Sequence, residues 1–372
     1  MTTPAPIEDP GVGPPPVAQP SRRAAILRTG LVVGILVVVF GIILPRFIDY
    51  DDVIAAFQAL TVGQLAVMMA AVVVAWLVSG WMFPILIGHL TLRRGTGSYL
   101  ILSGIGASVP MGPWNMGVLW VVLRGWDVPI RAATSGIALY GIINQLNRLA
   151  TPAIALVVLY LLPGSDEGYD VARFLALLSG VIFLIATGVL IAVVRSDRAA
   201  NRVAAIGDGI GRWVFARLGR PAPDLAPAIL AFRDQLGEVV RQRGATALAV
   251  GTLGQLVWCA ILILALRIVG IPGSVLVPAE VLAVFALTSA ITIIPIAPGG
   301  AGIPELLYIA GLTAIAGPQY EGLVTAGVML FRLFQWFLPI PIAWILLKVV
   351  RRGRPTLPTT TELRAYAVEG VA

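Results

Sequence analysis

The sequence predicts an all-α, polytopic membrane bundle of two inverted-topology repeats, each with a re-entrant-like core broken by proline and glycine. Three observations predict it. The chain is 58% hydrophobic and 12% charged over 372 residues, with a mean hydropathy of +0.92, whereas a soluble domain carries about 25% charged residues. Two segments repeat each other: Ser108-Val-Pro110-Met-Gly112-Pro113-Trp-Asn115-Met-Gly117 and Ile294-Pro295-Ile-Ala-Pro298-Gly299-Gly300-Ala-Gly302 both read P-x-x-P-x-x-x-G. Each is followed by an arginine inside an apolar stretch, Arg148 after the first and Arg332 after the second. Duplicated helix breaks with buried charge are a pattern of transporters built from inverted repeats.

The elements follow in order. Residues 1–21 are rich in Pro and Gly and are expected to form a disordered cytoplasmic tail. Arg22 and Arg23 resemble a twin-arginine export signal. The apolar run after them ends at Ile43-Leu44-Pro45-Arg46 without a small-x-small cleavage site, so they read instead as a cytoplasmic anchor. A span needs about 20 apolar residues, and 28–45, 64–87, 172–194 and 245–269 qualify. Two longer composite regions, 98–162 and 279–350, contain the breaks. The first repeat is therefore 22–163 and the second 172–350, with a cytoplasmic loop at 196–243 and a tail at 351–372.

Basic residues gather at Arg22–Arg28, Arg93–Arg94, Arg195–Arg243 and Lys348–Arg364, whereas Asp49, Asp51, Asp52, Asp166, Glu167 and Asp170 lie in the opposite loops. The positive-inside rule puts the basic groups, and both termini, in the cytoplasm. Counting crossings from there gives the two units the same order of parts and opposite orientation. Two ways of crossing stay open for each composite region. One is a hairpin dipping in and returning, followed by one long span. The other is three full crossings. Leu225–Arg243 reads as an amphipathic helix, either on the inner leaflet or over the ends of the spans.

The net charge of +7 is spread over these loops, so it argues for membrane orientation rather than nucleic acid. One cysteine, Cys259, and one histidine, His89, leave no disulfide framework and no His-based metal set. No cofactor is expected. No Ser-His-Asp set, phosphate loop or H-E-x-x-H motif is found, so the chain does not read as an enzyme.

Candidate site residues come from membrane depth. Pro110, Pro113, Pro295 and Pro298 remove backbone donors, and Gly112, Gly117, Gly299, Gly300 and Gly302 permit turns or close packing. Broken helices at that depth are tolerated only inside protein or beside a watery cavity. A helix restarting after a break offers free N–H groups to an anion, although packing alone also uses Pro and Gly. Arg148 shares a predicted helical face with Asn144 and Asn147, and Arg332 shares one with Gln335 and Trp336. These faces either line a polar path that binds phosphate or form ion pairs, for instance with Glu305. Glu305 sits where a carboxylate favours a helix N-terminus and is also a candidate proton acceptor. Asn115 is the nearby polar residue of the first half.

The segments "IIPIAPGGAGIPE" and "MLFRLFQWFLPIPIAWILL" resemble the lysylphosphatidylglycerol synthase transmembrane (flippase-like) family. Pro295, Pro298, Gly299, Gly300, Gly302 and Glu305 match the motif of that family, and Ala297 replaces its usual serine. In the first half, Asn115 stands where an acid is common, and Asn147 and Thr151 replace the acids that flank the arginine matching Arg148. Synthases of that family carry a further acyltransferase-like domain. The sequence shows about 20 residues after the last span, so the resemblance implies lipid movement rather than aminoacylation. The expected function is an integral membrane lipid translocase of the cell (plasma or inner) membrane. Its cargo would be an anionic or modified phospholipid or a polyprenyl-phosphate-linked sugar. Its expected partners are membrane lipids and envelope-biosynthesis enzymes. Two alternatives stay open: a small-solute or ion transporter, and a non-catalytic subunit of a cell-envelope glycosyltransferase system.

Overall fold

The computed structural model describes residues 58–108, 114–161, 170–217, 226–292 and 302–353. The expected first span at 28–45 and both terminal tails lie outside them. The described residues are helical, with no strands. They form α1 (Val62–Leu86), α2 (Leu92–Ser108), α3 (Trp114–Gly125), α4 (Ile130–Leu161), α5 (Asp170–Arg195), α6 (Asp197–Arg217), α7 (Ala226–Ile268), α8 (Pro278–Ile291), α9 (Ile303–Ala316), α10 (Glu321–Arg332) and α11 (Pro339–Gly353). A 3-10 turn, Pro318–Tyr320, precedes α10, and a π-helical turn, Leu333–Phe337, joins α10 to α11.

Three helical stretches among the described residues are long and apolar enough to cross a membrane: Val62–Leu86, Val240–Ile268 and Pro318–Val350. Large apolar side chains point outward along the bundle, with Leu184, Ile185 and Ile345 each more than half exposed. In water this would be an aggregation surface; in hydrocarbon it costs nothing. The first stretch starts at a capping box. Gln64 N–H donates to Thr61 Oγ1 at 3.2 Å, and Thr61 N–H donates to Gln64 Oε1 at 2.8 Å.

Each break separates two short helices that run antiparallel. In the first pair, the Arg94 guanidinium at the foot of α2 lies 5.6 Å from the Trp126 ring, just after α3. In the second, Phe285 of α8 stacks on Tyr308 of α9 at 6.1 Å. At about 1.5 Å per residue, arms of 12 to 17 residues are about 18–26 Å long, short of a hydrocarbon core of about 30 Å. α4 then continues unbroken for 32 residues, with Pro152 inside it.

The two hairpins open at opposite ends of the bundle. Arg243 of α7 donates to Ile85 O at the end of α1, and α2 starts just beyond. Gln64 at the start of α1 donates to Ile268 O at the end of α7, and α8 follows that end. The packing between halves is reciprocal: α2 lies against α11, α8 lies against α4, and α1 lies against α7.

α1 and α2 cross at glycines. A Cβ on Gly80 would stand 2.5 Å from Thr96 Cα, and one on Gly95 would stand 2.5 Å from Gly80 O. The obstructing atoms are backbone and cannot swing aside. Gly80→Val is therefore expected to cost about 3 kcal/mol or more, at or beyond the upper end for overpacking. It should read out as a lower melting temperature and a broadened size-exclusion peak in detergent.

Two features differ from the sequence reading. α7 is one 43-residue helix, about 65 Å long, so Leu225–Arg243 is not a separate helix in the plane of a leaflet. Nothing between Arg241 and Ala247 breaks the turn: Gly244 is tolerated, and no proline intervenes. The loop at 196–243 also contains α6, which packs against α5 and α7.

Candidate functional site

Both arginines converge on the tip of the second hairpin. Arg332 is the last residue of α10, and Glu305 lies in the first turn of α9. Arg332 Nε donates to Glu305 Oε1 at 2.7 Å, and the two side chains are 7% and 1% exposed. The other carboxylate oxygen, Oε2, accepts the Gly302 N–H at 2.8 Å. Glu305 thus serves two buried donors at a positive helix end. Gly302 makes this possible with φ at +91°, a conformation that glycine adopts without penalty.

The turn after Arg332 shapes the rest of the pocket wall. Arg332 Nη1 donates to Gln335 Oε1 at 2.9 Å, and its guanidinium lies 5.7 Å from the Trp336 ring. Both partners sit in the π turn, where Leu338 N–H reaches back to Leu333 O at 2.8 Å. Pro339 accounts for the wide turn. It has no N–H for Gln335 O, and its ring would strike that carbonyl in α geometry. Single π turns are frequent at functional sites. The signal was in the sequence as Pro339 and Pro341 following Gln335, but the expectation of one regular helix passed over it.

Arg148 of α4 reaches the other arm of the same tip. Its Nη1 donates to Thr292 Oγ1 at 3.2 Å and to Thr292 O at 3.4 Å. Thr292 closes the C-terminus of α8, where free carbonyls favour a cation. Arg148 Nε is buried without a hydrogen-bond partner. The hydroxyls of Tyr99, Tyr140 and Tyr308, and the Arg332 guanidinium, stand within electrostatic reach of it. Tyr308 is within electrostatic reach of both arginines and of Glu305. It is packed edge-on against Phe331 at 5.9 Å. Tyr99, Tyr308 and Thr292 were not singled out from the sequence, because an aromatic or a threonine on an apolar helix looks like packing.

The other expected residues are distributed differently. Asn147 is buried, but Thr252 Oγ1 of α7 donates to its Oδ1 at 3.0 Å, and its amide nitrogen fills the space beside Gly251. Asn147 therefore fastens α4 to α7 and does not turn toward Thr292. Asn144 is half-buried on the same helix. Asn115 donates to Leu102 O at 3.3 Å and lies against Gly106, so it ties the arms of the first hairpin together. Gly117 lies within α3 with nothing within 4 Å of a Cβ. It neither turns the chain nor admits a neighbour, contrary to its expected role. Pro110, Gly112, Pro113, Pro295, Pro298, Gly299 and Gly300 lie outside the described residues.

The two halves are thus unequal. Beside the first break, Trp344 Nε1 donates to Ser108 Oγ at 3.2 Å. The second break has an arginine on each side. No group of three or more His, Cys, Asp or Glu that could hold a metal occurs among the described residues.

An apolar helical bundle with three stretches long enough to cross a membrane belongs to a multi-pass membrane protein. No curated protein matches the chain. Residues 29–343 match the family described as the lysylphosphatidylglycerol synthase TM region, the transmembrane part of those proteins rather than a catalytic domain. Because that match spans most of the sequence, the chain belongs to the lysylphosphatidylglycerol synthase transmembrane family.

Proposed function

We propose that this protein is a lipid translocase that moves a phosphate-bearing lipid between the leaflets of the plasma membrane. The observation that carries the proposal is the meeting of Arg148 and Arg332, one from each half, on the two arms of one broken hairpin. A charge at that depth costs at least about 2.5–3.5 kcal/mol on insertion scales, and structure alone has no need of two cations there. Hairpins that open at opposite ends and pack reciprocally support two inverted repeats, 22–163 and 172–350. The head group travels along the seam between the halves, and its acyl chains stay in lipid. The cargo is an anionic or modified phospholipid or a polyprenyl-phosphate-linked sugar.

Orientation has its own support. Arg94, Arg124, Arg195, Arg241 and Arg243 collect at the end of the bundle where α1 finishes. Arg94 and Arg124 flank the foot of the first hairpin. Arg195 and Arg241 border one apolar cleft between α4, α5 and α7, and Arg243 caps α1. The positive-inside rule makes that end cytoplasmic, with both chain termini on the same side.

The test is leaflet accessibility in proteoliposomes, with fluorescent phospholipids and polyprenyl-phosphate sugars. Native protein is expected to equilibrate at least one of them, and Arg332→Ala, folded and inserted normally, to lose that activity by tenfold or more. Native rates in both Arg148→Ala and Arg332→Ala for every lipid would overturn the proposal.

A further inference from the structure

The charges at the second hairpin tip do not cancel. Arg332 has Glu305. Arg148 has only the hydroxyl and carbonyl of Thr292, and its Nε is buried without a partner. Among the described residues no carboxylate pairs with it. Across 92–161 and 278–353 the acids are Asp127, Glu280, Glu305 and Glu321. Asp127 lies in the turn after α3, Glu280 in the first turn of α8, and Glu321 at the start of α10, so all three belong to the feet of the hairpins or spans. The segments 109–113 and 293–301 contain no acid, and neither do 62–86 and 240–268. Arginine does not shed its proton to escape burial. These side chains therefore carry one net positive charge, from two arginines and one carboxylate.

Resting on the translocase reading above, we infer that this site takes a lipid head group with one net negative charge, a phosphodiester monoanion, and discriminates against cationic head groups. One phosphodiester on Arg148 brings the seam to neutrality and gives the buried Nε an acceptor, with Thr292 and Tyr308 beside it. A lysylated phosphatidylglycerol has a net positive head and would add a second uncompensated cation. A phosphomonoester with two charges would leave one negative charge unmatched. Two kinds of lipid supply the favoured chemistry: a simple anionic glycerophospholipid and a polyprenyl-phosphoryl sugar.

The experiment uses the full chain in uncharged detergent and measures binding by thermal shift with four short-chain probes. They are dihexanoyl-phosphatidylglycerol, its lysyl ester, dihexanoyl-phosphatidic acid, and a citronellyl-phosphoryl hexose. The two monoanions are expected to bind about tenfold or more tightly than the lysyl ester and the phosphatidic acid. Whichever monoanion binds more tightly names the source. Thr292→Asp places a carboxylate where Arg148 now finds a hydroxyl, so it should erase the advantage of the monoanions. Lysyl ester binding as tight as phosphatidylglycerol in the native protein would overturn the inference, whether or not the variant folds. Leaflet assays on the same lipids separate the two claims. Translocation without charge preference leaves the translocase and removes the charge rule. Monoanion preference without any translocation does the reverse.

Discussion

Glu305→Ala is expected to destabilise the solubilised protein by about 3–5 kcal/mol, because it strands Arg332 as a buried cation. Glu305 is 1% exposed and holds both the Arg332 guanidinium and the Gly302 N–H, so no water replaces it easily. Thermal or chemical denaturation in micelles measures the loss. The decisive comparison adds Arg332→Leu to Glu305→Leu. Removing both partners of a buried pair is often nearly neutral, so the double variant should recover all but about 1 kcal/mol. A coupling energy of that size is the signature of a direct contact. A double variant as unstable as the single one would locate the damage in the lost volume or in the Gly302 contact instead. The same double variant separates architecture from function. It should fold yet fail to move lipid, whereas an ion pair kept only for structure would leave transport intact.

Why packing separates residues that helical spacing put on one face follows from what a motif can encode. The P-x-x-P-x-x-x-G repeat and the spacing to each arginine are local, and they made both arginine-bearing helices legible. Hydropathy located α1, α5 and the membrane part of α7 to within a few residues. What faces what is a tertiary fact. Asn147 and Arg148 are neighbours in sequence, yet one turns to Thr252 of α7 and the other to Thr292 of α8. Helical spacing put them on one broad face, and packing divided that face between two neighbours. The first-half position that the pattern pairs with Glu305 holds Trp120, and the nearby polar residue, Asn115, is satisfied by the Leu102 carbonyl and needs no cation. The absence of an acid there was visible, and its consequence was not: without a carboxylate to attract it, Arg148 settles against a helix C-terminus across the seam. The π turn was hidden for a similar reason, since Pro339 announces a disruption without saying whether the helix kinks, ends or widens.

Arg148→Met should behave in the opposite way to Glu305→Ala. Deleting an uncompensated cation recovers about 2.5–3.5 kcal/mol on insertion scales. It forfeits charge-assisted hydrogen bonds worth about 1.5–3 kcal/mol. Both bonds come from one nitrogen to one residue and are long, 3.2 and 3.4 Å, so together they count as one bond at the lower end and the balance tips toward stability by about 1 kcal/mol. Methionine keeps much of the side-chain volume and flexes to fill what remains. Transport should nevertheless fall about a hundredfold or more, because truncating a buried partner of a charged ligand costs about 2–5 kcal/mol. A variant that melts higher and moves no lipid cannot be explained by misfolding. It would mark Arg148 as a residue whose stability cost persists because it binds cargo, the trade expected where function conflicts with packing. Phosphatidylglycerol provides the internal control. It should raise the melting temperature of the native protein by mass action and leave Arg148→Met unmoved. If Arg148→Met lowers stability and the lipid still shifts it, Arg148 is a structural clamp on Thr292, and the anion binds elsewhere.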